Sequence, residues 1–266
     1  MSDATIVGGH GFIGSSLAAA FRRDGRMVHQ LQRDQPIPES PGDLFFCAGL
    51  TADFRTRPSD TIRAHVSLLN DLLDTVAFDS LTYCSSTRVY NRADDGREEA
   101  MLRVNPNDSS DLYNLSKLAG EARCLADPRP SVRVVRIANV FGPGDRSSNF
   151  LTEVVRDALT GSVVFRARAE GAKDYLAIDD LSAALARVPS HARSRLLNLA
   201  SNEQVTNRVI GNLLTELIGT AVCFGDERSL SFPLIDNRRM RDELGVTPTP
   251  FNIAFPQFLK AMKRES

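Results

Sequence analysis

Thr5-Ile6-Val7-Gly8-Gly9-His10-Gly11-Phe12-Ile13-Gly14 stands almost at the start of the chain, followed by Ser15-Ser16-Leu17-Ala18-Ala19-Ala20-Phe21. Three β-branched residues predict a short buried strand, the glycines a tight turn, and the alanine-rich run a helix. The glycines satisfy G-x-G-x-x-G through Gly9, Gly11 and Gly14, and G-x-x-G-x-x-G through Gly8, Gly11 and Gly14. A turn without Cβ atoms lets backbone N–H groups approach a diphosphate, and the helix dipole favours its charge. Either spacing alone is weak. Between a strand and a helix it predicts a dinucleotide site at Gly8, Gly11, Phe12, Ile13 and Gly14.

Outward from that turn, the chain alternates. Gly25 stops the helix, and Met27 to Gln32 reads as a second strand. Asp43 to Ala48 is already a third, and the intervening residues are rich in Pro, Ser and Gln. A crossover with its helix takes about a dozen residues or more, so one helix–strand unit is expected to be missing or reduced to a loop. An amphipathic helix is predicted over 58–76, a strand over 80–85, an irregular loop over 91–110, a helix over 111–126 and a strand over 131–137. This pattern predicts an α/β fold, a Rossmann-type doubly wound parallel sheet. Beyond Gly142-Pro143-Gly144 shorter elements follow quickly, ending in two small helices near Arg238 and Phe255. The expected division is a dinucleotide-binding domain over 1–145 and a smaller, mixed substrate lobe over 146–266, with some of its segments returning to the sheet.

Composition narrows the class. Of 266 residues, 42% are hydrophobic and 24% charged, ordinary for a globular chain long enough to bury a full core. The net charge of −1, with basic residues scattered, leaves no footprint for nucleic acid. No apolar run approaches the ~18 residues of a membrane span. With the first strand read so near the start, no signal peptide is expected. Cys47, Cys84, Cys124 and Cys223 have no C-x-x-C spacing and are expected as reduced thiols, with no metal site. A cytoplasmic protein is the expectation.

Two clusters could carry chemistry. Tyr113 and Lys117 lie at i and i+4, on one face of a predicted helix. A cation near a phenol stabilises phenolate, so such a Tyr can act as a base near neutrality. Ser85-Ser86-Thr87 follows a predicted parallel strand, at the edge where open α/β sheets bind ligands. A hydroxyl there can hold a substrate alcohol or carbonyl, although Ser and Thr also cap strand ends for purely structural reasons.

Taken in order, the glycine turn, Ser85-Ser86-Thr87-Arg88-Val89-Tyr90, Tyr113-x-x-x-Lys117, Arg136-Ile137-Ala138-Asn139-Val140-Phe141-Gly142-Pro143-Gly144 and Lys173-Asp174-Tyr175-Leu176-Ala177-Ile178-Asp179-Asp180 resemble the extended short-chain dehydrogenases/reductases. These are the NAD-dependent epimerase/dehydratase family, acting mostly on nucleotide sugars. The resemblance runs from residue 4 to about 245. It implies Tyr113 as catalytic acid and base, Lys117 as the residue that lowers its pKa and holds the nicotinamide ribose, and Ser86 as the catalytic hydroxyl. It further implies Ala48 and Gly49 in a cofactor-lining loop, and Ser86, Thr87, Asn139 and Lys173 at the substrate. The family's commonest assembly implies a homodimer through helices 58–76 and 111–126.

Departures from the family pattern limit the chemistry. Family dehydratases carry an Asp-Glu pair where this chain has Thr87-Arg88, and some epimerase/reductases carry a Cys where Arg88 stands. His65 occupies a usual Asn position, and a lone His on such a helix is more often a packed core residue. Lys173 stands where Arg is commoner, which keeps the charge but loses the bidentate fork. After the second strand, Arg33 suits a 2′-phosphate while Asp34 falls one step late for a ribose hydroxyl, so NADP is favoured over NAD. The expected function is an NAD(P)-dependent nucleotide-sugar oxidoreductase, a 4-keto reductase or 4-epimerase. A second reading is a non-catalytic NADP(H)-binding sensor on the same fold. Such sensors commonly lack the Tyr, Lys and Ser that this chain keeps.

Overall fold

The computed structural model describes residues 3–32, 35–51, 53–227 and 230–265. The opening residues form β1 (Ala4–Val7) and α1 (Phe12–Arg23), followed by β2 (Val28–Leu31) and β3 (Asp43–Phe46). Next come α2 (Pro58–Ile62), a π-helical turn (Arg63–Ser67) and α3 (Leu68–Thr75), then β4 (Ser80–Ser86), α4 (Leu112–Ala126) and β5 (Val132–Ile137). Six parallel strands make the main sheet in the order β10-β5-β4-β3-β1-β2, where β10 is Leu196–Leu199. The doubly wound α/β sheet is therefore as expected.

Alternation along the strands builds two apolar faces. Ile6, Phe45, Cys84, Val135 and Leu199 face α1 and α6 (Ile178–His191). Val7, Leu44, Phe46, Tyr83 and Val134 face α3 and α4. Each fully buried Phe or Leu in these layers contributes about 1.5–3 kcal/mol.

β2 leads to β3 with neither helix nor strand among the described residues between them. The two strands flank β1, so this connection must cross it. Ile37 packs on the Val7 face, the Thr5 hydroxyl donates to the Pro41 carbonyl at 2.8 Å, and the Asp43 N–H donates to the Asp3 carbonyl at 2.9 Å. Among the described residues, the Ile37 side chain and hydrogen bonds such as these stand where a helix would cover the sheet.

The expected single helix over 58–76 is instead interrupted by the π turn, which places His65 against α4. π turns of this kind recur at functional sites.

The remaining elements are β6 (Asn139–Phe141), α5 (Phe150–Leu159), β7 (Ser162–Ala167), β8 (Ala172–Lys173), β9 (Tyr175–Ala177), β11 (Val205–Thr206), α7 (Asn207–Ile218), β12 (Ala221–Glu227), α8 (Arg238–Leu244) and α9 (Phe251–Glu265). β10 returns to the main sheet, and α6 packs on α1. A separate core gathers Phe141, Phe165, Tyr175, Phe251, Phe255 and Phe258. α9 is longer than the small helix expected near Phe255. Its Phe251, Phe255, Phe258, Leu259 and Met262 bury at helical spacing, which outweighs the single hydrogen bond lost at Pro256. Among the described residues no helix is long and apolar enough to cross a membrane.

Candidate active site

At the end of β1 the chain turns through Gly8, whose φ of +77° is the left-handed region. A Cβ on Gly8 would lie 2.7 Å from the Ala48 nitrogen, so this glycine lets the turn approach the loop after β3. A Cβ on Gly14 would meet the Gly8 carbonyl oxygen at 2.4 Å, so α1 can start directly against the turn. Gly11 caps α1 without a side-chain hydrogen bond, and the first turn contains no acidic residue. Its N–H groups therefore remain available for an anion. Gln30 on β2 fixes the turn from behind, its Nε2 donating to the Gly9 carbonyl at 2.7 Å. This cradle, free of a competing cap or carboxylate, fits a dinucleotide diphosphate.

Gly11, Phe12, Ile13 and Gly14 border a cleft of about 440 Å³ that continues past Gly49 to Ser86, Thr87 and Tyr113, and on to Asn139 and Lys173. That volume lies within the usual range of small-molecule sites. Of the other residues expected at the cofactor, Gly8 and Ala48 pack behind the turn. Arg33 lies outside the described residues.

Ser86 ends β4 and caps the 3₁₀ turn Thr87–Tyr90, its Oγ accepting the Arg88 N–H at 3.2 Å. Opposite, Tyr113 and Lys117 lie one turn apart on α4. The start of α4 is set by Asp108, whose Oδ1 accepts the Ser110 N–H at 2.9 Å, and by buried Asp111, which pairs with Arg92. Its end is set by Asp127-Pro128, because a residue before proline is driven out of the helical region.

Burial raises the Tyr113 phenol above its ordinary range, while a hydrogen bond with Ser86 and the Arg88 charge oppose that rise. Lys117 Nζ donates to the Cys84 carbonyl at 2.9 Å and lies 6.0 Å from the Tyr113 ring centroid. Burial lowers this ammonium from 10.5 to about 8.

His65 braces the floor of this arrangement. Its Nε2 accepts the Leu50 N–H at 3.1 Å, so the other nitrogen is left to donate to Ser116 Oγ at 2.8 Å. Ser116 in turn donates to the Tyr113 carbonyl at 2.9 Å. Burial, aided by the Lys117 charge, pushes the imidazole down to about 2, so it stays neutral. His65 thus ties the loop after β3 to the helix carrying Tyr113, a role that its residue type did not announce.

Behind the cleft lies a second group that the sequence reading missed. Arg136 on β5 pairs with Glu121 on α4 at 2.7 Å, with both side chains buried. Ser85 donates to Glu121 at 2.5 Å, and Arg136 donates to the Tyr90 hydroxyl at 2.8 Å. Burial works against the Arg136 charge, yet the bonds and charge of Glu121 hold its pKa above the ordinary value. The available signal was Glu121 falling four residues after Lys117, on the same helix face as Tyr113.

At the far end, Asn139 donates from its backbone and from Nδ2 to the Asp174 carbonyl, at 3.1 and 2.9 Å. Lys173 Nζ lies 4.3 Å from the Phe150 ring centroid, and burial, with Arg88 nearby, lowers it from 10.5 to about 8. The Asp174 carboxylate is structural, accepting N–H groups of Ser201 and Asn202 at 2.8 Å each.

Fold and site together bring an uncapped glycine turn, Ser86 and Tyr113 to one cleft at the carboxyl edge of the sheet, with Lys117 buried one helical turn from Tyr113. The chain belongs to the NAD dependent epimerase/dehydratase family, whose model matches residues 44–200. It is an enzyme of the extended short-chain dehydrogenase/reductase type. No curated protein matches the chain. Among solved structures it is similar to TunA, described as an NAD-dependent NDP-hexosamine 5,6-dehydratase, with a TM-score of 0.87 and 20% identity over 100% of this chain and 99% of that one. It is also similar to MoeE5 in complex with UDP-glucose and NAD, with a TM-score of 0.84 and 22% identity over 99% of each chain. RMD from Pseudomonas aeruginosa, complexed with NADPH, gives a TM-score of 0.83 and 20% identity over 100% of both chains.

Proposed function

We propose that the protein is a nucleotide-sugar oxidoreductase acting at sugar carbon 4, reducing a 4-keto sugar or epimerising a 4-hydroxyl, with reduction favoured. One observation carries this reading: Tyr113 and Ser86 line the same cleft, which begins at the uncapped α1 turn and ends between Asn139 and Lys173. The solved structures it resembles include complexes with UDP-glucose and NAD and with NADPH.

The nicotinamide cofactor, when bound, gives or takes the hydride. The chain's residues do the rest. The first turn of α1 holds the diphosphate through its N–H groups, and Lys117, anchored on the Cys84 carbonyl, supplies positive charge beneath the site. Ser86 orients the sugar oxygen. Tyr113 gives that oxygen a proton in reduction and takes it back in oxidation. Thr87-Arg88, standing where family dehydratases carry an acid pair, supports reduction.

Arg33, two residues beyond the end of β2 in sequence, supports NADP over NAD. A homodimer through α2–α3 and α4 is supported by the exposed apolar Ile62, Leu68 and Leu125 on those helices. A monomeric mass by light scattering at micromolar concentration would count against the dimer. The functional test is NADPH consumption with 4-keto and 4-hydroxy nucleotide sugars carrying UDP, GDP or dTDP. Turnover of at least one supports the proposal, and no turnover across the panel removes it.

A further inference from the structure

The cleft holds more positive charge than a diphosphate needs. Among the described residues that line it the only acidic one is Asp174, whose carboxylate is turned away to Ser201 and Asn202. Among the described residues two cations line the cleft. Lys173 lies beside Phe150 and Asn139, at the end expected to hold the diphosphate. Arg88 lies near enough to Lys173 to be felt by its ammonium, and against the phenol.

Arg88 is held firmly there. Its N–H donates to Ser86 Oγ at 3.2 Å, so the backbone beneath the guanidinium is tied to the hydroxyl that lines the cleft with Tyr113. The guanidinium lies 5.7 Å from the Tyr113 ring centroid and 5.5 Å from that of Phe54. Nη2 donates to the Ser110 carbonyl at 3.1 Å, whereas Nε is buried with no hydrogen-bond partner.

Among the described residues no carboxylate is bonded to this charge. Asp111 pairs with Arg92 and accepts the Asn105 N–H, and Asp108 accepts from Ser110, so both act on Arg88 only at a distance. A half-buried guanidinium with an orphan donor is costly unless a ligand supplies the counter-charge. Its flat fork of N–H groups matches a carboxylate.

Resting on the nucleotide-sugar reading, we infer that Arg88 receives a carboxylate carried by the sugar next to its reacting carbon, so the substrate class is a nucleotide hexuronate rather than a neutral hexose. Ser86 and Tyr113 then hold the carbon-4 oxygen while Arg88 holds the acid group beside it. Lys173 is left for the diphosphate. Thr87-Arg88, at the positions where a dehydratase of the family would carry an acid pair, becomes a determinant of which sugar enters.

The test is calorimetric binding of matched pairs that differ at one carbon: UDP-glucose against UDP-glucuronate, and GDP-mannose against GDP-mannuronate, with UDP and GDP alone as references. In one pair the uronate should bind about tenfold tighter or more, the scale of a charge pair formed in a desolvated site. Arg88→Gln should bring that ratio close to one, and Arg88→Lys should keep part of it, with unfolding midpoints reporting that both variants are folded. Equal or tighter binding of the neutral sugars, or a preference that survives Arg88→Gln, overturns the inference and leaves the nucleotide-sugar reading standing. If Arg88→Gln weakens UDP and both of its sugars alike, Arg88 serves the diphosphate and the inference fails. No binding of either pair overturns the nucleotide-sugar reading itself, and this inference with it.

Discussion

Two arginines near the carboxyl end of β4 carry the same charge in opposite circumstances. Arg136, behind the sheet, is answered by Glu121, and its remaining donors go to Tyr90 and the Glu98 carbonyl. Arg88, on the cleft side, has a carbonyl on Nη2, a buried Nε without a partner and no touching carboxylate. A buried charge that the fold has already paired reports on architecture. One that the fold holds in place and leaves open reports on what enters the cleft. His65, neutral and bonded on both nitrogens, belongs with the first kind, and Lys173 with the second.

The sharpest way to break this division is Tyr113→Phe, which keeps the ring and removes the proton. Turnover should fall about 10²–10⁴-fold while the protein remains folded, read by steady-state kinetics beside a thermal melt. Next is Arg136→Met, which leaves Glu121 charged and buried. It should cost about 3–5 kcal/mol of stability by denaturant titration, and Arg136→Met with Glu121→Leu should recover much of that loss. Recovery would confirm that the pair is architecture.

His65→Ala should cost about 1–3 kcal/mol, because the Leu50 N–H and Ser116 lose a buried partner. Since Leu50 adjoins the cofactor loop, KM for the nicotinamide cofactor should rise more than kcat falls. An equal loss in both would place His65 in the chemistry.

The smallest effect expected is a pH dependence. Lys117 and Lys173 are both lowered to about 8, so in the free protein each loses its charge as pH rises through 8. The rate of reduction at low substrate should therefore fall above pH 8. Over the same interval, from about 8 to the ordinary 10.5, the unfolded chain binds more protons than the folded one. These groups then add stability as pH rises. A falling rate with a holding or rising melting midpoint is the signature, and a parallel fall in both would assign the loss to alkaline unfolding.

What the sequence made legible was local. The glycine turn, the Tyr113–Lys117 spacing and the hydroxyls after β4 each lie within a few residues, where helical and strand periodicity decide which side chains share a face. The short step from β2 to β3 could be read as well, since chain length alone excludes a helix and strand. The π turn at Arg63–Ser67 was not legible, because it depends on His65 finding Leu50 and Ser116 in distant segments. Nor was the Glu121–Arg136 pair, which forms only once α4 lies on β5. Arg88 could be seen to depart from the family pattern. That its Nε is left without a hydrogen-bond partner is a property of the folded cleft, not of its neighbours in sequence.

The central claim is that Tyr113 and Ser86 serve a hydride transfer at sugar carbon 4. Its most direct measurement follows a deuterium label at that carbon, in the nucleotide sugar that the binding series selects, by mass spectrometry after incubation with oxidised NADP. The account predicts deuterium on the nicotinamide ring or back on the sugar, with none released to water and almost none moved by Tyr113→Phe. Deuterium washed into solvent, or moved as fast without the Tyr113 hydroxyl, would contradict it.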